Sequence, residues 1–153
     1  MSKKKIGRFD RADFPELGLE GIKVKVDTGA YTSSLYASSI HVRRYKGTPY
    51  LYFKSLGPDH PDYHGKTHKF SEYFKKNVKS SSGRSESRYF IETTIVLFGQ
   101  EYPITLSLTD RRSMRYPVLL GRKLIRDNFI VDVNRSNLSL KASRKKEKTS
   151  ANK

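Results

Sequence analysis

Alternation of apolar and polar residues dominates the middle of the chain and predicts a series of short strands. Ile22, Val24 and Val26 alternate with lysines, which is the pattern of a strand with one buried face. Similar stretches follow at residues 31–37, 40–45, 49–54, 88–98 and 101–108. Turn residues separate them at a spacing of roughly 8 to 12 positions, as in sandwiches and barrels. The pattern therefore predicts an all-β fold, a small closed barrel.

The last third of the chain adds one short helix to this prediction. Residues 116–120 form an apolar run that stops at Gly121, and residues 122–127 have the length of one or two helical turns. Residues 130–133 and 138–140 are expected to be the final strands, joined by a turn. Residues 70–78 carry aromatic positions that fit a helix and a strand equally well, so that segment stays open.

Both ends of the chain are basic and polar, and we expect them to be disordered. We therefore divide the chain into a disordered basic N-terminus at 1–5, one domain at 6–141 and a disordered basic tail at 142–153. From residue 141 onward, six basic residues face a single glutamate, a net charge of +5. The remaining +11 of the total +16 belongs to the rest of the chain.

This charge predicts polyanionic partners: nucleic acid, an anionic membrane surface or an acidic protein. For most individual lysines, a solvated surface that only confers solubility is the simpler interpretation. No apolar run approaches the ~18 residues that a membrane helix needs. The basic N-terminus is not followed by the apolar segment of a signal peptide, so we expect a cytoplasmic protein without a membrane partner.

The candidate chemistry begins where the first clear strand ends, at Asp27-Thr28-Gly29. An aspartic peptidase needs a carboxylate at a strand end, held by a rigid turn, and glycine lets such a turn bend where a Cβ would clash. The same triplet also occurs in ordinary hairpin turns. The interpretation therefore depends on residues further along the chain.

Those residues form ordered blocks that resemble a known family. An apolar strand, Gly121 and a short helix accompany Asp-Thr-Gly in retropepsins, the single-domain aspartic peptidases of retroviral type. The further blocks are Ser81-Ser82-Gly83 with Glu86 and Arg88, Leu108-Thr109-Asp110-Arg111, and Leu119-Leu120-Gly121-Arg122. From about Gly18 to Leu140, the chain resembles the retropepsin-like bacterial aspartic peptidase family that also carries the name ATP-dependent zinc protease.

The resemblance implies a retropepsin-like, or acid-protease, barrel and a set of site residues. One Asp-Thr-Gly loop per chain implies a homodimer in which two copies of Asp27 meet and Thr28 links the two loops. Catalytic roles fall to Asp27, Thr28 and Gly29. Substrate contacts are expected from Ala30, Lys25, Arg84, Arg88 and Arg111. Structural roles around the site are expected for Asp110, Gly121 and Arg122, with Asp110 pairing to Arg111 or Arg122 and Arg122 at least half-buried.

We expect neither a metal nor a cofactor, despite the zinc and ATP in the family's name. The family commonly has a histidine where this chain has Tyr36. Cysteine is absent and no His-Glu-x-x-His occurs, so no zinc ligand set is visible. A phosphate-binding glycine loop is also missing. His41, His60, His64 and His68 are expected to be surface loop residues.

The predicted substrate is an acidic peptide, because the body of the chain is basic. The resembled family is linked with enzymes that add glutamate tails to a ribosomal protein, which makes such a tailed protein the expected partner. The segment from His60 to Arg88 is expected to be a basic flap with a mobile tip at Ser80 to Ser85, or an exposed loop that is basic only for solubility. The alternative function is a non-catalytic retropepsin-fold binding module for RNA, ribosomes or acidic proteins.

Overall fold

The computed structural model describes residues 3–79, 83–110 and 115–151. Strands dominate this part of the chain, with two α-helices and one 3-10 turn. The strands are β1 Lys4–Ile6, β2 Phe9–Phe14, β3 Leu19–Val26, β4 Ser33–Tyr45, β5 Thr48–Ser55, β6 Thr67–Phe70, β7 Phe74–Lys79, β8 Ser85–Leu97, β9 Gln100–Thr109, β10 Val118–Leu120 and β11 Phe129–Val131. The helices are the 3-10 turn Pro15–Leu17, α1 Arg122–Asn128 and α2 Leu138–Ala151.

Six strands close into a ring in the order β10, β3, β2, β8, β9, β4 and back to β10. The short strand β10 closes this ring, because it pairs with β3 in parallel and with β4 in antiparallel fashion. Its Leu120 lies opposite Val26, and its Val118 lies opposite both Val24 and Leu35. The predicted all-β, closed retropepsin-like barrel is therefore confirmed.

The barrel interior is filled by the apolar positions that alternate along its strands. Ile22, Val24, Leu35, Ile91 and Leu106 are all fully or almost fully buried. Burying apolar area of this kind stabilises the fold by about 25 cal/mol for each Å² removed from water. On β3, Lys23 and Lys25 alternate with these apolar residues and are exposed, as the twofold period of a strand requires. The two faces of this strand thus explain the alternation read from the sequence.

Three pieces lie outside the ring. Strands β5 and β6 extend the sheet from the long outer half of β4. Strand β7 pairs only with the first half of β8, forming a hairpin from Phe74–Lys79 and residues 85–90. Strand β1 pairs in parallel with β11 in a separate two-stranded sheet. None of the described helices has the length and apolar character needed to cross a bilayer.

The C-terminal region corrects the sequence prediction. A strand at 138–140 and a disordered tail after it were predicted, but residues Leu138–Ala151 form a helix, so the fold has two α-helices instead of one. The buried carboxylate of Asp10 on β2 accepts hydrogen bonds from the backbone N–H groups of Ser139 at 2.8 Å and Leu140 at 3.1 Å. A carboxylate there satisfies the open N–H groups of the first helical turn. This partner lies 129 residues from Ser139, so no local pattern could reveal it.

Smaller differences occur nearer the N-terminus. Residues 4 and 5 were predicted to be disordered, but they pair with Phe129 and Ile130 in the sheet formed by β1 and β11. Residues 9–14 form a further strand, β2, which pairs with β3 and β8. The strands predicted at 31–37 and 40–45 are one strand, β4, with a bulge where Ser39 adopts a φ of 52°.

Candidate active site

Strand β3 delivers Asp27 to one end of the barrel. Its buried residues anchor the strand in the core, and its last residue, Val26, lies opposite Leu120 of β10. The backbone N–H of Asp27 then donates to the carbonyl of Leu120 at 2.9 Å. The carboxylate therefore follows directly after a strand that is paired on both sides, and Asp27 itself is half-buried.

The turn after β3 fixes the orientation of this carboxylate. The N–H of Gly29 donates to Oδ1 of Asp27 at 3.1 Å, and the N–H of Ala30 donates to the Asp27 carbonyl at 3.2 Å. A Cβ at Gly29 would lie 3.2 Å from the same Oδ1, so the glycine leaves space for the carboxylate. Oδ2 has no hydrogen-bond partner among the residues that the structure describes. One oxygen is thus held and the other is open.

Helix α1 crosses directly behind the turn and binds its carbonyl groups. The N–H groups of Arg122 and Lys123 donate to the carbonyls of Ala30 and Tyr31, both at 2.9 Å. Gly121 makes this close approach possible, because a Cβ there would lie 2.6 Å from the Tyr31 carbonyl oxygen. The glycine is required by contact with the loop and not by its backbone angles, since its φ is −89°.

Ser33 completes this connection and was given no role from the sequence. Its buried hydroxyl accepts a hydrogen bond from the N–H of Gly121 at 2.9 Å. Without it, a buried N–H at the crossing point would lack a partner. The signal in the sequence was weak: a serine at the start of a strand looks like an ordinary turn residue. The role of Ser33 becomes visible only in the fold, where it contacts Gly121, 88 positions away in the sequence.

Arg122 and Asp110 differ from their expected arrangement. Arg122 is exposed instead of half-buried, and its NH1 donates to the Thr28 carbonyl at 2.8 Å while its guanidinium lies 5.8 Å from the Tyr31 ring centroid. Asp110 is also exposed, just after β9, and forms no ion pair with Arg122. Arg111, the other predicted partner of Asp110, lies outside the described residues. The Arg122 side chain therefore stabilises the Asp27 loop by binding a backbone carbonyl of that loop.

The predicted arginines of the flap lie on the hairpin of β7 and β8. Arg84 is exposed just before β8. The guanidinium of Arg88 pairs with Glu86 at 3.2 Å, and its side chain is only 14% exposed. Its buried Nε has no hydrogen-bond partner among the described residues. Neither arginine bonds to the Asp27 loop, and half of the tip predicted to be mobile, residues 80–82, lies outside the described residues.

Lys25 borders a cleft that sequence reasoning did not find. Its Nζ lies 5.7 Å from the ring centroid of Tyr116, which lines a cleft of about 440 Å³ between β2, β3 and α2. We call this the basic cleft, because four cationic side chains line it: Arg11, Lys23, Arg115 and Arg144. None of the four forms an ion pair with another described residue. The fold gathers these charges only because α2 docks against β2.

The histidines do not assemble a metal site. Within residues 3–79, 83–110 and 115–151, no three His, Asp or Glu side chains are close enough to hold an ion. His64 bonds through Nε2 to the Leu17 carbonyl at 3.1 Å, and His68 through Nε2 to the Ser55 hydroxyl at 2.8 Å. Burial lowers the pKa of His68, and the neighbouring His64 and Lys66 lower it further. The segment from residue 60 to 66, predicted to belong to the flap, thus packs on the body of the protein through His64.

Asp27 lines none of the four clefts of 400 to 680 Å³ in the described part of the chain. The largest of these four lies between β2, the end of β8 and α2. A cleft at the base of the hairpin is lined by Phe70, Tyr73, Phe74 and Phe90. The carboxylate loop is therefore ordered by its hydrogen bonds, and it lies outside these four clefts.

Comparison with known proteins gives a consistent family. Residues 6–142 match the family model "RimB-like: Retropepsin-like aspartic endopeptidase RimB". The chain is 36% identical over 135 residues to proteins from Shewanella pealeana and Shewanella halifaxensis, each named "Probable alpha-L-glutamate ligase". Each match covers 86% of this chain but 29% of the relative, so the chain spans less than a third of the length of these curated relatives.

A solved structure agrees with this assignment. The crystal structure of Lpg0085 from Legionella pneumophila, a protein of unknown function, is 30% identical and superimposes with a TM-score of 0.70. The match covers 90% of this chain and 99% of that one. Fold, carboxylate loop and family match agree: the chain belongs to the RimB-like family of retropepsin-like aspartic endopeptidases.

Proposed function

We propose that the protein is an aspartic peptidase that acts as a homodimer on acidic peptide segments, including the glutamate tail of a ribosomal protein. The observation that carries the proposal is the fixed carboxylate of Asp27, with one oxygen bound to Gly29 and the other open. A turn that both β10 and α1 bind through hydrogen bonds is an elaborate way to hold a half-buried residue unless its orientation matters. The family match supports the same chemistry.

The homodimer follows from the number of carboxylates. Peptide hydrolysis by this chemistry needs two aspartates around one water, and the chain carries one Asp-Thr-Gly loop. A twofold axis through the loop would bring two copies of Asp27 together. Thr28 supports this arrangement, because its side chain is exposed and its hydroxyl forms no hydrogen bond with another described residue. The hydroxyl is free to bond to the partner loop.

The mechanism divides the work between the two carboxylates. Two carboxylates at this distance cannot both be ionised, so the pair holds one proton. The ionised Asp27 accepts a proton from the water, which attacks the scissile carbonyl. The protonated Asp27 donates a hydrogen bond to that carbonyl oxygen and stabilises the developing charge. Gly29 keeps Oδ1 in place, and the carbonyl oxygen of Ala30, which accepts one hydrogen bond from Arg122, can accept a second one from the substrate.

The proposal of an acidic substrate rests on charges close to the loop. Lys25 is two residues from Asp27 and borders the basic cleft, whose four cations lack ion pairs with described residues. Cations without an acidic partner attract a carboxylate-rich peptide. On the hairpin, Arg84 is exposed and Arg88 keeps a buried Nε without a partner. We assign substrate contacts to these residues and to Arg111.

The names of the relatives support the same substrate class. Proteins called probable alpha-L-glutamate ligases contain a region similar to this chain within a longer sequence. A ligase that adds glutamate and a peptidase that acts on acidic peptides would handle the same chemical group. We place the proposed cleavage in the cytoplasm, because the proposed substrate is a ribosomal protein.

The direct test is to incubate the purified protein with a peptide that ends in several glutamates and to detect shortened products by mass spectrometry. Asp27→Asn should lower the rate of cleavage by a factor of at least about 10³. The amide keeps the shape of the side chain, but it cannot share a proton with a second Asp27 or accept one from water. A peptide ending in glutamines is the matched substrate control. Cleavage that persists in Asp27→Asn would exclude Asp27 as the catalytic acid.

Mixing wild-type protein with Asp27→Asn tests the dimer separately. If both loops are needed, an equal mixture that exchanges subunits contains about one quarter wild-type dimers. Activity per wild-type chain should then fall by half. Activity that stays proportional to the amount of wild-type protein would show that one chain suffices. If no glutamate-tailed peptide is cleaved but Asp27→Asn still binds it, the non-catalytic binding module becomes the better description.

A further inference from the structure

The three-stranded extension formed by the outer half of β4, β5 and β6 has two different faces. Leu51 and Phe53 point toward the barrel and are fully buried. On the opposite side the pairing register aligns His41, Tyr52 and Lys69 across the three strands, and Arg43 with Tyr50. We call this the outer face and define it by Arg43, Tyr45, Tyr50, Tyr52, Lys54 and Lys69. Nothing in the proposed peptidase chemistry uses it.

The outer face exposes aromatic rings that do not belong to the core. Tyr45 is 52% exposed, and Tyr50 and Tyr52 are half-exposed. None of the three packs with the hydrophobic core of the barrel. Exposed His41 stacks on Tyr52 with ring centroids 5.5 Å apart and planes 16° apart. Flat rings of this kind at the solvent surface are the platforms on which unpaired bases stack.

Cations lie between and beside these rings. Nζ of Lys69 is 4.5 Å from the ring centroid of Tyr45 and 4.2 Å from that of Tyr50. Lys46, in the turn between β4 and β5, lies 5.5 Å from the Tyr45 ring. No Asp or Glu belongs to the outer face, and Arg43 and Lys54 form no ion pair with another described residue. The face therefore carries positive charge that is not neutralised.

We propose that the outer face is a binding site for single-stranded nucleic acid. Bases would stack on the tyrosines, while Arg43, Lys54 and Lys69 would contact the phosphates between them. An acidic peptide would match the cations but would leave the aromatic rings without a role. A duplex would match the charge but could not present unpaired bases. Alternating rings and cations fit a flexible single strand.

Binding of a fluorescently labelled oligouridylate of about twelve nucleotides, followed by anisotropy, tests the proposal. Tyr50→Ala should weaken binding by about 5- to 150-fold, the range found for the loss of one stacked base. Tyr50→Leu, which keeps apolar bulk on the exposed face, should weaken it as well and guards against loss of folding as the cause. Far-UV circular dichroism should match wild type for both variants.

A charge variant and a matched control distinguish binding at the outer face from attraction by the net positive charge of the whole protein. Arg43→Gln combined with Lys69→Gln should lower the slope of log K against log salt concentration by about 1.4, or 0.7 for each lost phosphate contact. Lys23→Gln combined with Arg144→Gln removes the same charge from the basic cleft and should leave that slope unchanged. Equal effects of the two double variants would overturn the proposal, because the binding would then follow net charge alone.

Two competitors complete the test. An unlabelled duplex of equal length should compete poorly, and a glutamate-rich peptide should not displace the oligouridylate. Displacement by the peptide, together with normal affinity in Tyr50→Ala, would reassign the outer face to acidic polypeptides. Asp27→Asn should bind oligouridylate as wild type does, so this proposal and the peptidase proposal can fail independently.

Discussion

The Asp27 loop and the hairpin of β7 and β8 are built in opposite ways. Backbone groups of β10 and α1 bind the loop through hydrogen bonds of 2.9 Å, and Gly121 lets them approach closely. The described part of the hairpin pairs mainly with itself, and most of its residues are exposed. At its base, the rings of Phe74 and Phe90 stack 4.9 Å apart with planes 2° apart. We therefore call the Asp27 loop the rigid side of this comparison and the hairpin, which few contacts hold, the adaptable side.

The largest effect should come from Gly121→Ala, which disturbs the contact between the Asp27 loop and helix α1. The new Cβ would lie 2.6 Å from the Tyr31 carbonyl, so the loop or the helix must move. We expect a loss of about 1 to 3 kcal/mol in the free energy of unfolding and a large fall in kcat. Denaturant unfolding and peptide cleavage measure the two effects.

Gly99→Ala is the matched control for this substitution. Nothing lies within 4 Å of a Cβ at Gly99, but its φ of 70° makes alanine cost about 1 kcal/mol. This variant should lose some stability and keep its kcat. Equal falls in kcat for both glycine variants would contradict a specific role for the contact at Gly121.

Ser33→Ala should have the next largest effect. It leaves the buried N–H of Gly121 without its partner, which costs about 1 to 3 kcal/mol. Thr93→Val provides the comparison, since Oγ1 of Thr93 is buried and has no hydrogen-bond partner among the described residues. Unfolding curves should separate the two variants, with the serine variant less stable. The reverse order would show that Ser33 does not support the crossing.

Phe74→Ala probes the adaptable side and should act mainly on substrate binding. Removing the stacked ring loosens the base of the hairpin, and an aromatic pair of this kind contributes about 0.5 to 1.5 kcal/mol. We expect a higher KM with little change in kcat, and faster hydrogen exchange confined to residues 85–90. A fall in kcat at constant KM would mean that the hairpin also fixes the carboxylate.

The smallest effect should be a pH dependence from His68, on the strand that leads into the hairpin. Its pKa is lowered in the folded protein by burial and then by His64 and Lys66, while the unfolded value is about 6.5. The unfolded state therefore binds more protons just below pH 6.5, and stability falls as the pH falls through that window. The slope should stay below about 1.4 kcal/mol per pH unit. His68→Gln should flatten it, and an unchanged slope would assign the effect to other groups.

The sequence predicted the rigid side better than the adaptable side. Asp27 and Gly121 each lie at the end of an apolar strand, so their positions could be inferred from local patterns. The roles of Ser33 and Arg122 could not, because both depend on contacts between segments about 90 residues apart. The hairpin stayed ambiguous, since aromatic residues at 70–78 suit a helix and an exposed strand equally.

Helix α2 also could not be predicted from the local sequence pattern. Its sequence is basic and polar, which is typical of a disordered tail. The buried carboxylate of Asp10 and the hydrogen bond from the Phe98 N–H to the Ser139 hydroxyl, at 2.8 Å, fix the start of the helix on the barrel. Both partners are distant in sequence. Propensity alone could not anticipate a helix that depends on them.

The closure of the barrel by β10 has a consequence for the newly made protein. Thr28 and the Arg122 side chain that binds its carbonyl are 94 positions apart, and β10 joins β3 over a similar distance. Contacts between such distant segments form late, because the intervening chain must first be ordered. During synthesis from the N-terminus, Asp27 emerges long before the residues that hold it. We therefore expect the Asp27 loop to reach its fixed arrangement only after the last third of the chain has been translated and folded, and the proposed cleavage to begin only then.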